Sequence, residues 1–161
     1  MTPLERRLLD EIEIQRLAAA YSHAVMLRDG MAAAATYAAD GVLTAFYKAD
    51  IIGREAIAEA LTVTLAPLAF LNQNCGAGVI DVAGDGATAS WTVTELLQHK
   101  GEAGLACCFG TYQDRLVRTY DGWRFAQRTF LPFFRGRIAA EGRSYPEPVF
   151  AGFAGPLPSF S

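Results

Sequence analysis

The sequence predicts an α+β domain, and three observations predict it. Apolar residues at three- and four-residue steps fill the first part of the chain, strand-like alternation broken by turn residues fills it from Ala69 onward, and no strand-helix-strand units interleave them. Helices first and strands later point to an antiparallel sheet, since a parallel one would need a helix between successive strands.

Each element has its own local cause. Between Leu4 and Leu27, Leu8, Leu9, Ile12, Leu17, Ala20, Tyr21, Ala24 and Leu27 recur with helical period, and the helix is expected to end at Asp29-Gly30 with the glycine as left-handed cap. An alanine-rich helix from Met31 to Ala38 follows, closing at Asp40-Gly41, and then Val42 to Tyr47 reads as a strand. Gly53-Arg54-Glu55-Ala56-Ile57 starts a third helix running past Leu61. Strands are expected around Phe70 to Ile80, from Ala87 to Gln98 after the Gly84-Asp85-Gly86 turn, and as a hairpin within residues 107–131 joined at Asp121-Gly122, read as a type I′ turn. The domain takes in residues 1–140. The tail, residues 141–161, combines Pro146, Pro148, Pro156 and Pro158 with Tyr145, Phe150, Phe153 and Phe160, and reads either as a strap over the domain or a partner, or as a mobile end.

A chain of 161 residues that is 52% hydrophobic and carries a net charge of -3 suits one soluble domain. It offers no clustered basic surface for nucleic acid or an acidic membrane. Charged residues Glu5, Arg6, Arg7, Asp10, Glu11 and Glu13 interrupt the N-terminus, no run reaches the roughly 18 apolar residues of a membrane span, and a cytoplasmic location is expected. Cys75, Cys107 and Cys108 form an odd set, and adjacent strand residues face opposite ways, so Cys107 and Cys108 read as small buried thiols and no metal site is expected. With no phosphate-binding glycine loop, nucleophile elbow or paired-histidine motif, no cofactor is expected either.

Tyr21 on the first helix, Ala38-Ala39-Asp40-Gly41, Gly53-Arg54-Glu55-Ala56-Ile57, Val82-Ala83-Gly84-Asp85-Gly86-Ala87-Thr88-Ala89 and Asp121-Gly122-Trp123-Arg124-Phe125 follow one another in an order and spacing that resembles the nuclear transport factor 2-like superfamily, in its SnoaL-like and scytalone dehydratase-like branch. The resemblance spans about Ile12 to Pro132. It implies a cone, a curved antiparallel sheet covered by about three N-terminal helices around an internal pocket, and self-association through the outer sheet face near Thr92 and Thr94. Members include dehydratases, a dehydrochlorinase, cyclases, epoxide hydrolases, aldol-type lyases and non-catalytic binding domains. The elimination enzymes among them use an Asp near the end of the first helix and a His on the sheet, often with a Tyr. The resemblance sets Met26 or Asp29 at the acid position, Tyr21 at the tyrosine, and Asn72, which cannot take a proton at neutral pH, at the histidine. It also aligns Glu95 with a functional pocket Asp of a bile-acid dehydratase.

The residues themselves suggest chemistry. Period two puts Trp91, Val93, Glu95, Leu97 and His99 on one strand face, where apolar surroundings would raise the Glu95 pKa toward a value useful in proton transfer; the competing reading has Glu95 and His99 solvated at an open strand end. Tyr21 shares a helix face with Asp29, which also suits a helix-end turn, while His23 falls on another side. Asn72 and Gln73 offer amides to a substrate oxygen, and Arg128 an inward anion or oxyanion contact. Phe46, Tyr47, Phe70, Trp91, Tyr112 and Phe130 are candidate pocket walls, with core packing as their ordinary role. These readings converge on a cofactor-independent lyase or isomerase, of the dehydratase, cyclase or aldol-cleaving kind, acting on a small hydrophobic or aromatic molecule as a homodimer. Catalytic candidates are Tyr21, Asp29, Glu95 and His99. A non-catalytic binding or dimerisation domain and a small structural subunit of an oxygenase remain open alternatives.

Overall fold

Thr2 starts the first helix by reciprocal capping: its hydroxyl accepts from the Glu5 amide at 3.2 Å and its own amide donates to the Glu5 carboxylate at 2.7 Å. The computed structural model describes residues 1–45 and 49–142. Phe46, Tyr47 and the tail beyond Gly142, all subjects of the expectations above, lie outside them. Helices α1 (Pro3–Met26), α2 (Gly30–Ala34) and α3 (Arg54–Leu65) accompany strands β1 (Tyr37–Ala45), β2 (Ile51–Ile52), β3 (Leu68–Ala83), β4 (Gly86–His99), β5 (Leu105–Thr119) and β6 (Gly122–Ile138). The strands form one curved sheet in the order β2-β1-β6-β5-β4-β3. All neighbours are antiparallel except β1 and β6, which run parallel. No helix among the described residues is long and apolar enough to cross a membrane.

The sheet bends where its registers slip, between Cys75 and Gly78 on β3 and between Phe109 and Gly110 on β5. Both glycines are sterically required. A Cβ on Gly110 would stand 2.4 Å from the Leu131 carbonyl oxygen, and one on Gly78 2.4 Å from the Trp91 ring. The concave face thus produced packs against Ile14, Ala18, Tyr21, Ala24 and Val25 of α1 and Ile57 and Leu65 of α3, over Leu71, Trp91, Val93, Tyr112, Leu116 and Phe125.

Four local expectations are corrected. The buried side of α1 begins with Asp10 and Ile14, while Leu8, Leu9 and Ile12 are exposed. Asp10 is drawn inward because Arg118 donates to it at 2.7 Å and the Trp123 indole at 3.2 Å. The left-handed residue ending α1 is Arg28 (φ 60), in a Schellman arrangement with Asp29 N to Ala24 O and Arg28 N to Val25 O, both 2.9 Å. Gly30 instead makes room for α3, since a Cβ there would lie 2.5 Å from the Thr62 amide nitrogen. The alanine-rich helix stops at Ala34, because Thr36 O accepts from Phe125 N and Tyr37 enters the core as the first residue of β1. Finally, the last hairpin turns on Tyr120-Asp121, with Thr119 paired to Gly122, and the positive φ of 98 falls on Gly122 behind the two turn residues; Asp121-Gly122 is therefore not the central pair of a type I′ turn.

Candidate functional site

Alternation along four strands directs Gln73, Glu95, Tyr112, Asp114, Arg128 and Phe130 to the concave face, where α1 adds Tyr21 and Ser22 and β1 adds Tyr37. Gln73, 4% exposed, ties the polar members together. Its carbonyl accepts from Ser22 Oγ at 3.0 Å, and its Nε2 donates to Glu95 Oε2 at 3.2 Å and to Tyr112 Oη at 3.1 Å. Burial pushes the Glu95 carboxyl above its ordinary pKa, with the Gln73 amide and the Arg135 guanidinium pulling it back in part. Glu95 is therefore a carboxyl made to exchange protons nearer neutrality, held in one orientation by an amide that does not titrate.

Deeper on the same face Arg128 is 0% exposed and forks onto Asp114, Nε to Oδ1 at 2.9 Å and Nη2 to Oδ2 at 2.6 Å. Trp91 Nε1 donates to the same carboxylate at 2.7 Å. Burial works against the charged guanidinium, but Asp114 outweighs it and the Arg128 pKa stands above its ordinary value. Aromatic rings face the guanidinium: Cζ lies 4.5 Å from the Tyr21 centroid, 4.2 Å from Tyr112 and 3.9 Å from Phe125. Burial likewise holds the phenols of Tyr21, Tyr37 and Tyr112 in their neutral, donor-capable form.

The expected site is thus partly assembled. Tyr21, Gln73, Glu95, Trp91, Tyr112, Arg128 and Phe130 share the concave face, the Phe130 ring 5.3 Å from Tyr112. Asn72 does not: it is exposed on the outer face, because consecutive strand residues cannot both point inward. The register also sets Phe70 opposite Gln98, on the Asn72 side of the sheet. Asp29 is exposed and caps α2, accepting from Ala32 N at 2.8 Å, which is the turn role open to it from the start. His99 sits half-buried as the last residue of β4, with no hydrogen bond to Glu95. Met26 is half-buried at the end of α1.

Ser22, Tyr37 and Asp114 were missed. Asp114 was within reach of counting, because rungs numbered from the Thr119–Gly122 pair put it opposite Gln127. The extra residue Ala126 then moves its partner to Arg128. Tyr37 was hidden by the helix propensity of its alanine neighbours. Among the described residues, no three His, Cys, Asp or Glu side chains gather as a metal site. A groove of about 410 Å³ does run along the outer sheet face between Asp81, Thr88, Ser90, Gln113, Arg115 and Thr129. Several of its polar groups satisfy one another, as Gln113 Nε2 does on Ser90 Oγ at 2.7 Å; the concave face remains the better candidate.

Known proteins agree with this architecture. A candidate scytalone dehydratase from Novosphingobium aromaticivorans superposes with a TM-score of 0.77 at 18% identity, covering 91% of this chain and 97% of its own. A hexachlorocyclohexane dehydrochlorinase gives 0.77 at 17%, covering 87% and 96%. A protein of unknown function from Mycobacterium tuberculosis gives 0.74 at 26%, covering 82% and 76%. No curated protein matches. Residues 6–129 match the SnoaL-like domain family, from within the first turns of α1 into the last strand, and the chain belongs to that family.

Proposed function

We propose that the protein is a lyase or isomerase that moves protons with its own side chains, on a small hydrophobic or aromatic molecule, with Glu95 as the proton-transfer group. The observation that carries this reading is the Glu95 carboxyl itself: inward, raised in pKa by burial, and fixed by Gln73 beside the Tyr112 phenol. Two of the similar structures are named for eliminations, the loss of water and of hydrogen chloride, a reaction class in which a proton leaves the substrate. Tyr21 and Tyr112 supply neutral donors, and Trp91 and Phe130 the aromatic wall. His99, half-buried at the strand end, assists at the rim, and Asp29 is assigned to capping α2. Within this reading the protein works in the cytoplasm, where the free thiols of Cys107 and Cys108 stay reduced, and pairs through the exposed outer face at Thr92 and Thr94.

A binding domain without turnover is the second reading, favoured by Glu95 having, among the described residues, the non-titrating Gln73 amide as its hydrogen-bond partner. Incubation with a panel of aromatic β-hydroxyketones, followed by chromatography, separates the two. Conversion that falls on the order of a hundredfold or more in Glu95→Gln supports the enzyme. Conversion at an undiminished rate in that variant removes Glu95 from the chemistry, and a thermal shift with no conversion of any compound selects the binding domain.

A further inference from the structure

Most arginines of β6 are already engaged. Arg124 Nη1 donates to Trp123 O at 2.8 Å, Arg128 forks onto Asp114, and Arg137 reaches the Glu102 carboxylate at 3.2 Å and Ala103 O at 3.0 Å. Arg135 makes no hydrogen bond or ion pair with any described residue. Its direction follows from the register. Gln73 pairs with Glu95, Glu95 with Cys108, and Cys108 with Arg135, so the four side chains form one row across β3, β4, β5 and β6 on the concave face. Glu95 and Arg135 stand two strand spacings apart, roughly 10 Å between backbones. Burial raises the Glu95 carboxyl and the Cys108 thiol, and the Arg135 charge draws each of them back. Beyond Phe130, where the β1 pairing ends at Ala45, the described neighbour of β6 is β5 alone, and Arg135 is exposed at the rim. Inward from it on the same face come Pro132, opposite Gly110, and Phe130, opposite Tyr112.

We propose that Arg135 receives a carboxylate carried by the ligand, so that the molecule bound on the concave face is an amphipathic acid, with its apolar body on Phe130 and Pro132 and its anionic group at the rim. The planar guanidinium fork fits a carboxylate with two parallel hydrogen bonds, and no described side chain occupies it. The nearby carboxylates do not compete for it: Glu95 is held by Gln73, and Glu102 is taken by Arg137. A row that already holds Glu95 also favours a singly charged carboxylate over a phosphate dianion, which the Glu95 charge would repel more strongly. Two cations then mark the two ends of the apolar strip on β6. Arg128 is neutralised by Asp114 in the depth of the site, and Arg135 is open at its mouth, so an acid enters with its apolar end first. Arg135 thereby sets the orientation of the ligand and its affinity, and takes no part in proton transfer.

Calling this acid a substrate rests on the proton-transfer reading of Glu95, but the anion site is tested by binding alone. The probes are 4-acetylbenzoate and its uncharged methyl ester, titrated by calorimetry. Wild-type protein should bind the acid about tenfold or more tightly than the ester at low salt, and the advantage should shrink as ionic strength rises. Arg135→Gln should bring the acid down to the affinity of the ester, with the ester affinity and the melting temperature unchanged, and Arg135→Lys should keep part of the preference. Arg115→Gln, which removes a charge from the outer sheet face, should leave both affinities as they are in wild type. Glu95→Gln should keep the preference for the acid while losing conversion of carboxylated aromatic β-hydroxyketones; conversion retained there removes the proton-transfer reading and leaves the anion site. Equal affinity of the wild type for acid and ester overturns the site. So does a preference that survives Arg135→Gln, or one that falls as far in Arg115→Gln, and tighter binding of phenyl phosphate than of 4-acetylbenzoate overturns the carboxylate class.

Discussion

Glu95 and Gln73 show how one strand pair makes a reactive carboxyl from ordinary parts. Burial favours the protonated acid, and the amide, by donating to Oε2, limits the shift. A carboxyl whose pKa is raised on folding binds its proton more tightly folded than unfolded. Stability is therefore undiminished below the unfolded value and falls as pH climbs through the folded one. Glu95→Gln should accordingly gain melting temperature over wild type across that rise, with no difference at low pH; equal melting curves at neutral pH would show the carboxyl to be solvated. Gln73→Leu should cost about 1–3 kcal/mol, because it strips the buried Ser22 hydroxyl of its acceptor and Tyr112 of its donor. The Glu95 resonance in a carboxyl-carbon NMR titration should also move to a higher pKa. The sequence made Glu95 and Gln73 legible through period two and the apolar neighbours of Glu95. The same rule, applied one residue earlier, separates Asn72 from Gln73's face, so the expectation that both amides hold one substrate oxygen is corrected.

Among elements, α1 and the α2–α3 contact depend on pairs remote in sequence. Arg118 links the first half of α1 to the β3–β4 turn, donating to Asp10 at 2.7 Å and to Asp85 at 3.1 Å. The Arg118 hydrogen bond lowers the Asp10 pKa against the opposing effect of burial, so its contribution is complete above the unfolded carboxylate range and is lost as pH falls through the folded value. Arg118→Ala should destabilise by about 1–3 kcal/mol at neutral pH and flatten the acid limb of the melting profile. Gly30→Ala should lose about 1–3 kcal/mol by overpacking, since its Cβ would meet Thr62 backbone at 2.5 Å. Helix existence and most strand limits were readable from periodicity and turn residues. The side of α1 that is buried was not, because Asp10 is a buried polar residue whose partners come from β5 and β6.

At the scale of the whole molecule, Asp114, Arg128 and Trp91 cross-link three strands beneath the candidate site. Asp114→Ala leaves a buried guanidinium unpaired and should cost about 3–5 kcal/mol in denaturant unfolding. Removing both charges in Asp114→Leu with Arg128→Met should recover most of that loss while abolishing any ligand contact at Arg128. A double variant as unstable as the single one would refute this account of the pair. By itself the sequence determined the α+β class, the order of elements, and the alternation that turns Glu95, Trp91 and Val93 to one face, because these follow from neighbours a few residues apart. Only the tertiary structure decided the parallel pairing of β1 with β6, the bulge that brings Arg128 opposite Asp114, and the packing of Tyr37 and of Arg128 on Phe125. Register shifts and long-range packing set those positions, and neither leaves a period in the chain.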